Sequence, residues 1–236
     1  TVGGQATPLA RRSVFPPLLA GVTAWIVVSL IRGDAQGHDI IPIDSGGDLA
    51  AVPAALALGI LAVAVGVLLR LVIRLTSGWT DHLDKLWHWI AAAAVFGAVL
   101  GVLYWIGGKS VQFSGQTGTQ ELYDDRAQYG AAALLGLVLV KLVATAWSIS
   151  AVYRGGPAFP SVYMGVALSL AITTAIPSVS ETGVMIRAIA GILAEMTTPG
   201  IAIIMVLSLM PTNLLPIGLV GALGAVGGRR VLERFV

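Results

Sequence analysis

Tyr153-Arg154-Gly155-Gly156-Pro157-Ala158-Phe159-Pro160-Ser161-Val162-Tyr163-Met164-Gly165 is the stretch on which the fold turns. Apolar helical sequence stands on both sides of it, residues 130–147 before and 162–176 after. Between them the helix is broken. Gly155 and Gly156 permit backbone angles closed to other residues, and Pro157 and Pro160 cannot continue an incoming helix. Pro160 suits the first position of the following helix, where a missing N–H costs nothing. The expectation is a helix N-terminus, with free amides and partial positive charge, held at or near membrane depth. Irregular backbone there is tolerated only where protein buries it or where it lines a cavity. A helix start that faces a cavity attracts anions. The same spacing also fits a re-entrant turn or proline kink that binds nothing.

Outward from the break, composition sets the class. Of 236 residues, 11% are charged and 56% hydrophobic, whereas a soluble domain carries roughly 25% charged residues. With a mean hydropathy of +0.88 the chain reads as an integral membrane protein. Residues 49–69, 155–180 and 196–228 are uncharged. Each reaches about the 20 residues a spanning helix needs, and the last suffices for two passes. The 29 glycines suit helices packed backbone to backbone in lipid. The lack of cysteine leaves no disulfide framework, thiolate metal site or haem attachment to argue for, and no cofactor is expected. A net charge of +2, scattered along the chain, does not point to a nucleic-acid partner. His-Glu-x-x-His, Gly-x-Ser-x-Gly and Walker-type loops are all missing, so the chain is not read as an enzyme. His82 and His88 would fall on different faces of a helix, which favours interfacial anchors over a metal site. Thr1–Ala10 has neither an initiator Met nor a signal-peptide pattern, so the chain is expected to be a piece of a longer one.

In chain order, Arg11 and Arg12 precede an apolar segment at residues 14–31, followed by a loop holding Asp34, Asp39, Asp44 and Asp48. A long segment begins near Ala51 and runs past Arg70 and Arg74 towards Ser77. Residues 79–89, with three tryptophans among charged neighbours, form an amphipathic junction of the kind found at a membrane–water boundary. Residues 90–106 are the next span. Residues 107–128, ending in the acidic group Glu121, Asp124 and Asp125, are either a loop or a short partial helix. Residues 129–151 form the fourth span, with Lys141 inside it. After the break come a helix to about Ile176, a short helix at 182–195 holding Arg187, a second break at 197–200, and two short apolar passes, 201–209 and 214–226. Basic residues at Arg11 and Arg12, between Arg70 and Lys85, at Arg154 and at Arg229, Arg230 and Arg234 alternate with the acidic loops. By the positive-inside rule the start and the C-terminus are cytoplasmic.

Lys141 is the most costly charge to place, because a cation inside a span must find a partner or water. It either shapes the potential around an anion path or serves the structure, paired with a carboxylate such as Glu195 or snorkelling to an interface. The structural role is the expectation. Arg187 and Glu195 are two turns apart on one helix, too distant to pair directly, so each needs a partner from elsewhere.

These residues carry a resemblance. Lys141-Leu142-Val143-Ala144-Thr145, then Gly155-Gly156-Pro157-Ala158-Phe159-Pro160, then Gly165, resembles the second-repeat signature of the CLC chloride channels and transporters. Met196-Thr197-Thr198-Pro199-Gly200-Ile201-Ala202-Ile203 is similar to the family's Arg-x-Pro-Leu-Thr opening of a short helix, and Asn213-Leu214-Leu215-Pro216 to its Asn-x-x-Leu-x-Pro step. The resemblance implies an all-α polytopic helix bundle with broken helices. Residues 1–236 would be the C-terminal half of an inverted repeat whose N-terminal half lies upstream. It also implies a homodimer in a plasma (inner) membrane, each subunit passing chloride or a similar anion along backbone amides at a helix start. The anion site would be Gly155, Gly156, Pro157, Ala158, Phe159 and Pro160, with only Ala158 and Phe159 offering both an N–H and the right placement. The dimer face would be residues 14–31, 201–209 and 214–226. Four departures stand out. Pro157 replaces a residue whose N–H the family uses, the phenylalanine comes one position late, Ser208 stands where an acidic residue is usual, and no tyrosine follows Arg230. Two other readings stay open: an inverted-repeat transporter for another small solute, and a transport-inactive structural subunit with the loop packed shut.

Overall fold

The computed structural model describes residues 52–76, 85–150, 156–179 and 181–196, and no strand occurs among them. Among them six helices follow one another: α1 (Val52–Thr76), α2 (Leu86–Gly107), α3 (Gln116–Asp124), α4 (Ala131–Ser150), α5 (Ala158–Ala175) and α6 (Glu181–Met196). Single 3-10 turns stand at Lys109–Val111 and Arg126–Gln128. Among the described residues α2, α4 and α5 are long and apolar enough to cross a bilayer, and α6 holds a shorter apolar run, Val184–Leu193. The protein is an all-α membrane bundle. The predicted span at 14–31, the acidic loop after it, the break at 197–200, the passes at 201–209 and 214–226 and the basic terminus lie outside the described residues.

α5 is the centre of the bundle. Every residue from Pro160 to Ile172 is buried, which is what a helix apolar on all sides requires. α3, α4 and α6 pack around it, α1 packs on α4 and α6, and α2 lies against α4. Three of the hydroxyls of α5 are satisfied by nearby carbonyls of the same helix start or turn. Ser161 Oγ donates to Pro157 O at 2.7 Å, Ser169 Oγ to Val166 O at 2.7 Å, and Thr173 Oγ1 to Ser169 O at 3.1 Å. Such back-bonding lets a small polar residue sit in an apolar interior.

α2 is the opposite case: it is apolar all round yet mostly exposed, with only Phe96 and Gly107 buried. Its link to α4 is the Phe96–Trp147 ring pair, 4.7 Å between centroids, and the Trp147 Nε1 bond to Phe96 O at 3.3 Å. The helix starts at Leu86 rather than at the predicted Ile90. Within its first turn the His88 and Trp89 amides bond Lys85 O, so these interfacial residues belong to the span itself.

The stretch 107–128, left open between loop and partial helix, is a folded hairpin. Gly108 (φ 70°) and Gly115 (φ 88°) turn the chain in left-handed conformations, and α3 then packs onto the preceding 3-10 turn. A side chain at Gly118 would place Cβ 1.9 Å from Ser110 O, so the two backbones touch.

Candidate functional site

Residues 151–155, including Gly155, lie outside the described residues, so the break is described from Gly156 onward. Pro157 (φ −75°, ψ −8°) is the N-cap, and α5 starts at Ala158. Pro160 is therefore the third helical residue and not the first as its ring suggested. Any first-turn position accepts proline, because none of those amides has an acceptor four residues back. The first bond of the helix is Ser161 N to Pro157 O at 3.0 Å. Pro160 has no N–H, and Pro157 brings no capping side chain. Among the described residues this leaves the Ala158 and Phe159 amides as unbonded donors in the first turn, the same two that the sequence singled out. Residues 157–159 are half-buried and Pro160 is buried, while Gly156 is exposed. Nothing lies within 4 Å of where a Gly156 side chain would begin, so among the described residues the approach there is open.

Tyr163 lies five residues into α5, about 7.5 Å along the axis from Ala158. Its hydroxyl and Ser110 Oγ share a hydrogen bond at 3.0 Å. Beside it stands Lys141, 1% exposed, with Nζ 5.3 Å from the centre of the Tyr163 ring. The ammonium donates to Val111 O at 2.7 Å and Phe113 O at 2.9 Å. A side chain at Gly115 would start 3.2 Å from Nζ, so glycine there makes room for the cation. Among the described residues Lys141 meets no carboxylate and does not reach an interface; it serves the structure by holding the 108–116 hairpin by its carbonyls. Tyr163 and Ser110 were missed in the sequence. Tyr163 sits inside the quoted stretch, but the partner 53 residues upstream leaves no local signal. Arg187 lies half-buried on α6, and the side chain of Glu195 is outside the described residues.

Apolar spanning helices, a glycine–proline break that starts a buried helix with unbonded amides, and a buried ammonium nearby define a multi-pass membrane protein of the broken-helix kind. Residues 6–228 match the family described as "Voltage gated chloride channel", and the chain belongs to that family. Among its relatives are proteins named "Putative ion-transport protein YfeO" from Escherichia coli O139:H28 (strain E24377A / ETEC) and Shigella boydii serotype 18 (strain CDC 3083-94 / BS512). Each is 28% identical over 224 residues, covering 91% of this chain and 50% of the relative. The chain thus spans about half the length of the curated relatives it matches. No solved structure matches it.

Proposed function

We propose that residues 1–236 are the C-terminal repeat of an anion channel or transporter that passes chloride or a similar anion across the plasma (inner) membrane as a homodimer. The observation that supports this most is the pair of unbonded amides, Ala158 and Phe159, at the start of a helix buried on all sides. Dehydrating an anion is costly, and adjacent N–H groups with the dipole of an 18-residue helix behind them offset that cost. The buried ammonium of Lys141, bonded among the described residues to carbonyls only, adds positive potential in the same part of the bundle. Among the described residues the approach at Gly156 is open, which favours transport over the reading in which the loop is packed shut.

Pro157 removes one donor from this helix start, so Pro157→Ile restores an N–H and is expected to tighten halide binding several-fold in calorimetric titration of the full-length parent. Unchanged or weaker binding counts against the amide site. Chloride efflux from liposomes carrying the same parent, with pH followed in parallel, separates the modes. Efflux with proton movement identifies an exchanger, and efflux without it a channel or uniporter. No halide efflux from a folded dimer overturns the anion reading.

A further inference from the structure

A cavity lies at the other end of α5, about 18–24 Å along the helix from Ala158 by its rise per residue. It is built from the 3-10 turn at Arg126–Gln128, the last turns of α5, the turn after it and the first residue of α6. Its volume is about 410 Å³, within the range of small-molecule sites. Arg126, Tyr129, Leu170, Thr173, Thr174 and Glu181 line it. Glu181 Oε1 is buried and has no hydrogen-bond partner among the described residues. A buried carboxylate oxygen without a donor is unfavourable unless something fills the place.

The opposite charge stands in the same cavity. Arg126 Nη1 donates to Tyr123 O at 2.9 Å, and its guanidinium lies 4.1 Å over the Tyr123 ring. These contacts fix the plane of the group while using one of its five N–H donors. Arg126 and Glu181 do not bond each other. A simple cation would meet the guanidinium there, and a simple anion the carboxylate. A molecule carrying both charges satisfies both walls, its ammonium donating to Glu181 Oε1 and its carboxylate accepting from Arg126. Leu170 offers an apolar wall, and the hydroxyls of Tyr129 and Thr174 offer neutral partners.

We propose that this cavity is a binding site for a small zwitterion of the α-amino acid class, separate from the anion path. The test uses the full-length parent in detergent and glycine as the probe, followed by calorimetry and by thermal unfolding. Glycine is expected to bind saturably at millimolar concentration or below, with at least tenfold weaker binding in Glu181→Gln and in Arg126→Gln. Pro157→Ile, at the far end of α5, is expected to bind glycine like the wild type, which keeps the result independent of the anion reading. Methylammonium and acetate, each carrying half of the ligand, are expected to bind at least tenfold more weakly than glycine. No saturable glycine binding to the folded wild type overturns the proposal, whatever the variants do. So does glycine binding that survives both substitutions, or methylammonium binding as tight as that of glycine.

Discussion

Lys141 shows how a single residue can be placed correctly and still be misjudged. Burying an ammonium is costly, and two carbonyl acceptors at 2.7 and 2.9 Å offset that cost with no counter-charge among the described residues. Lys141→Met removes the burial penalty but also leaves Val111 O and Phe113 O without their donor. Hydrogen bonds to a charged group contribute about 1.5–3 kcal/mol each, and an orphaned buried acceptor costs about as much, so the balance falls on the destabilising side. The expected outcome is a lower unfolding midpoint together with faster amide hydrogen exchange confined to residues 108–116. Exchange that rises evenly across the bundle, or not at all, would show that the hairpin does not depend on this cation. The sequence revealed the charge, because an ionisable residue among apolar ones is conspicuous. It could not reveal the partner. A carbonyl is present at every residue, so no side-chain pattern marks which two will converge on the ammonium, whereas a carboxylate partner would have left a visible letter.

At the scale of elements, the centres of helices were legible and their ends less so. Periodless apolar runs gave α4 and α5 within a few residues, since such runs in this length range are spans. The start of α5 moved from Pro160 to Ala158 because two prolines three positions apart both satisfy first-turn rules, and local geometry chose the earlier as the cap. The start of α2 moved outward because tryptophans that read as a boundary also continue a helix. What neither proline nor tryptophan could indicate is which glycines seat one helix on another. Gly165 does so. A Cβ there would stand 2.5 Å from Ile189 Cγ1 and 2.8 Å from the Ile189 backbone, so α5 and α6 touch through main chain. Gly165→Ala is expected to destabilise the fold by about 1–3 kcal/mol, the usual range for overpacking. Adding Ile189→Ala should recover only part of the loss, because the backbone half of the clash remains. Equilibrium unfolding of the two variants checks this, and full recovery in the double variant would mean that the contact is made by side chains alone.

For the whole molecule the decisive surface is the one where the subunits of the proposed homodimer would meet. The family resemblance assigns it to residues 14–31, 201–209 and 214–226, while the described bundle exposes a different apolar face on α2, where Trp105 is 85% exposed. An apolar face of that kind serves equally for lipid, for the proposed upstream repeat or for a second subunit, so exposure alone does not choose. Cysteine chemistry does, and the chain contains no native cysteine to confuse it. A disulfide forms only when two Cα atoms come within about 4.4–6.8 Å. Across a two-fold axis, a single cysteine therefore reports only positions that lie almost on the axis. Cysteines placed one at a time through 214–226 of the full-length parent, with any upstream cysteines replaced, should give oxidant-dependent dimers only at the one or few positions next to the axis. Leu219→Cys falls in the middle of that scan, and Trp105→Cys is the comparison on α2. Dimers from the scan with none from Trp105→Cys would place the subunit contact on the C-terminal passes and leave α2 to lipid or to the upstream repeat. Dimers from Trp105→Cys alone would reverse the assignment, bringing a second subunit to α2 and discarding the face that the resemblance implies.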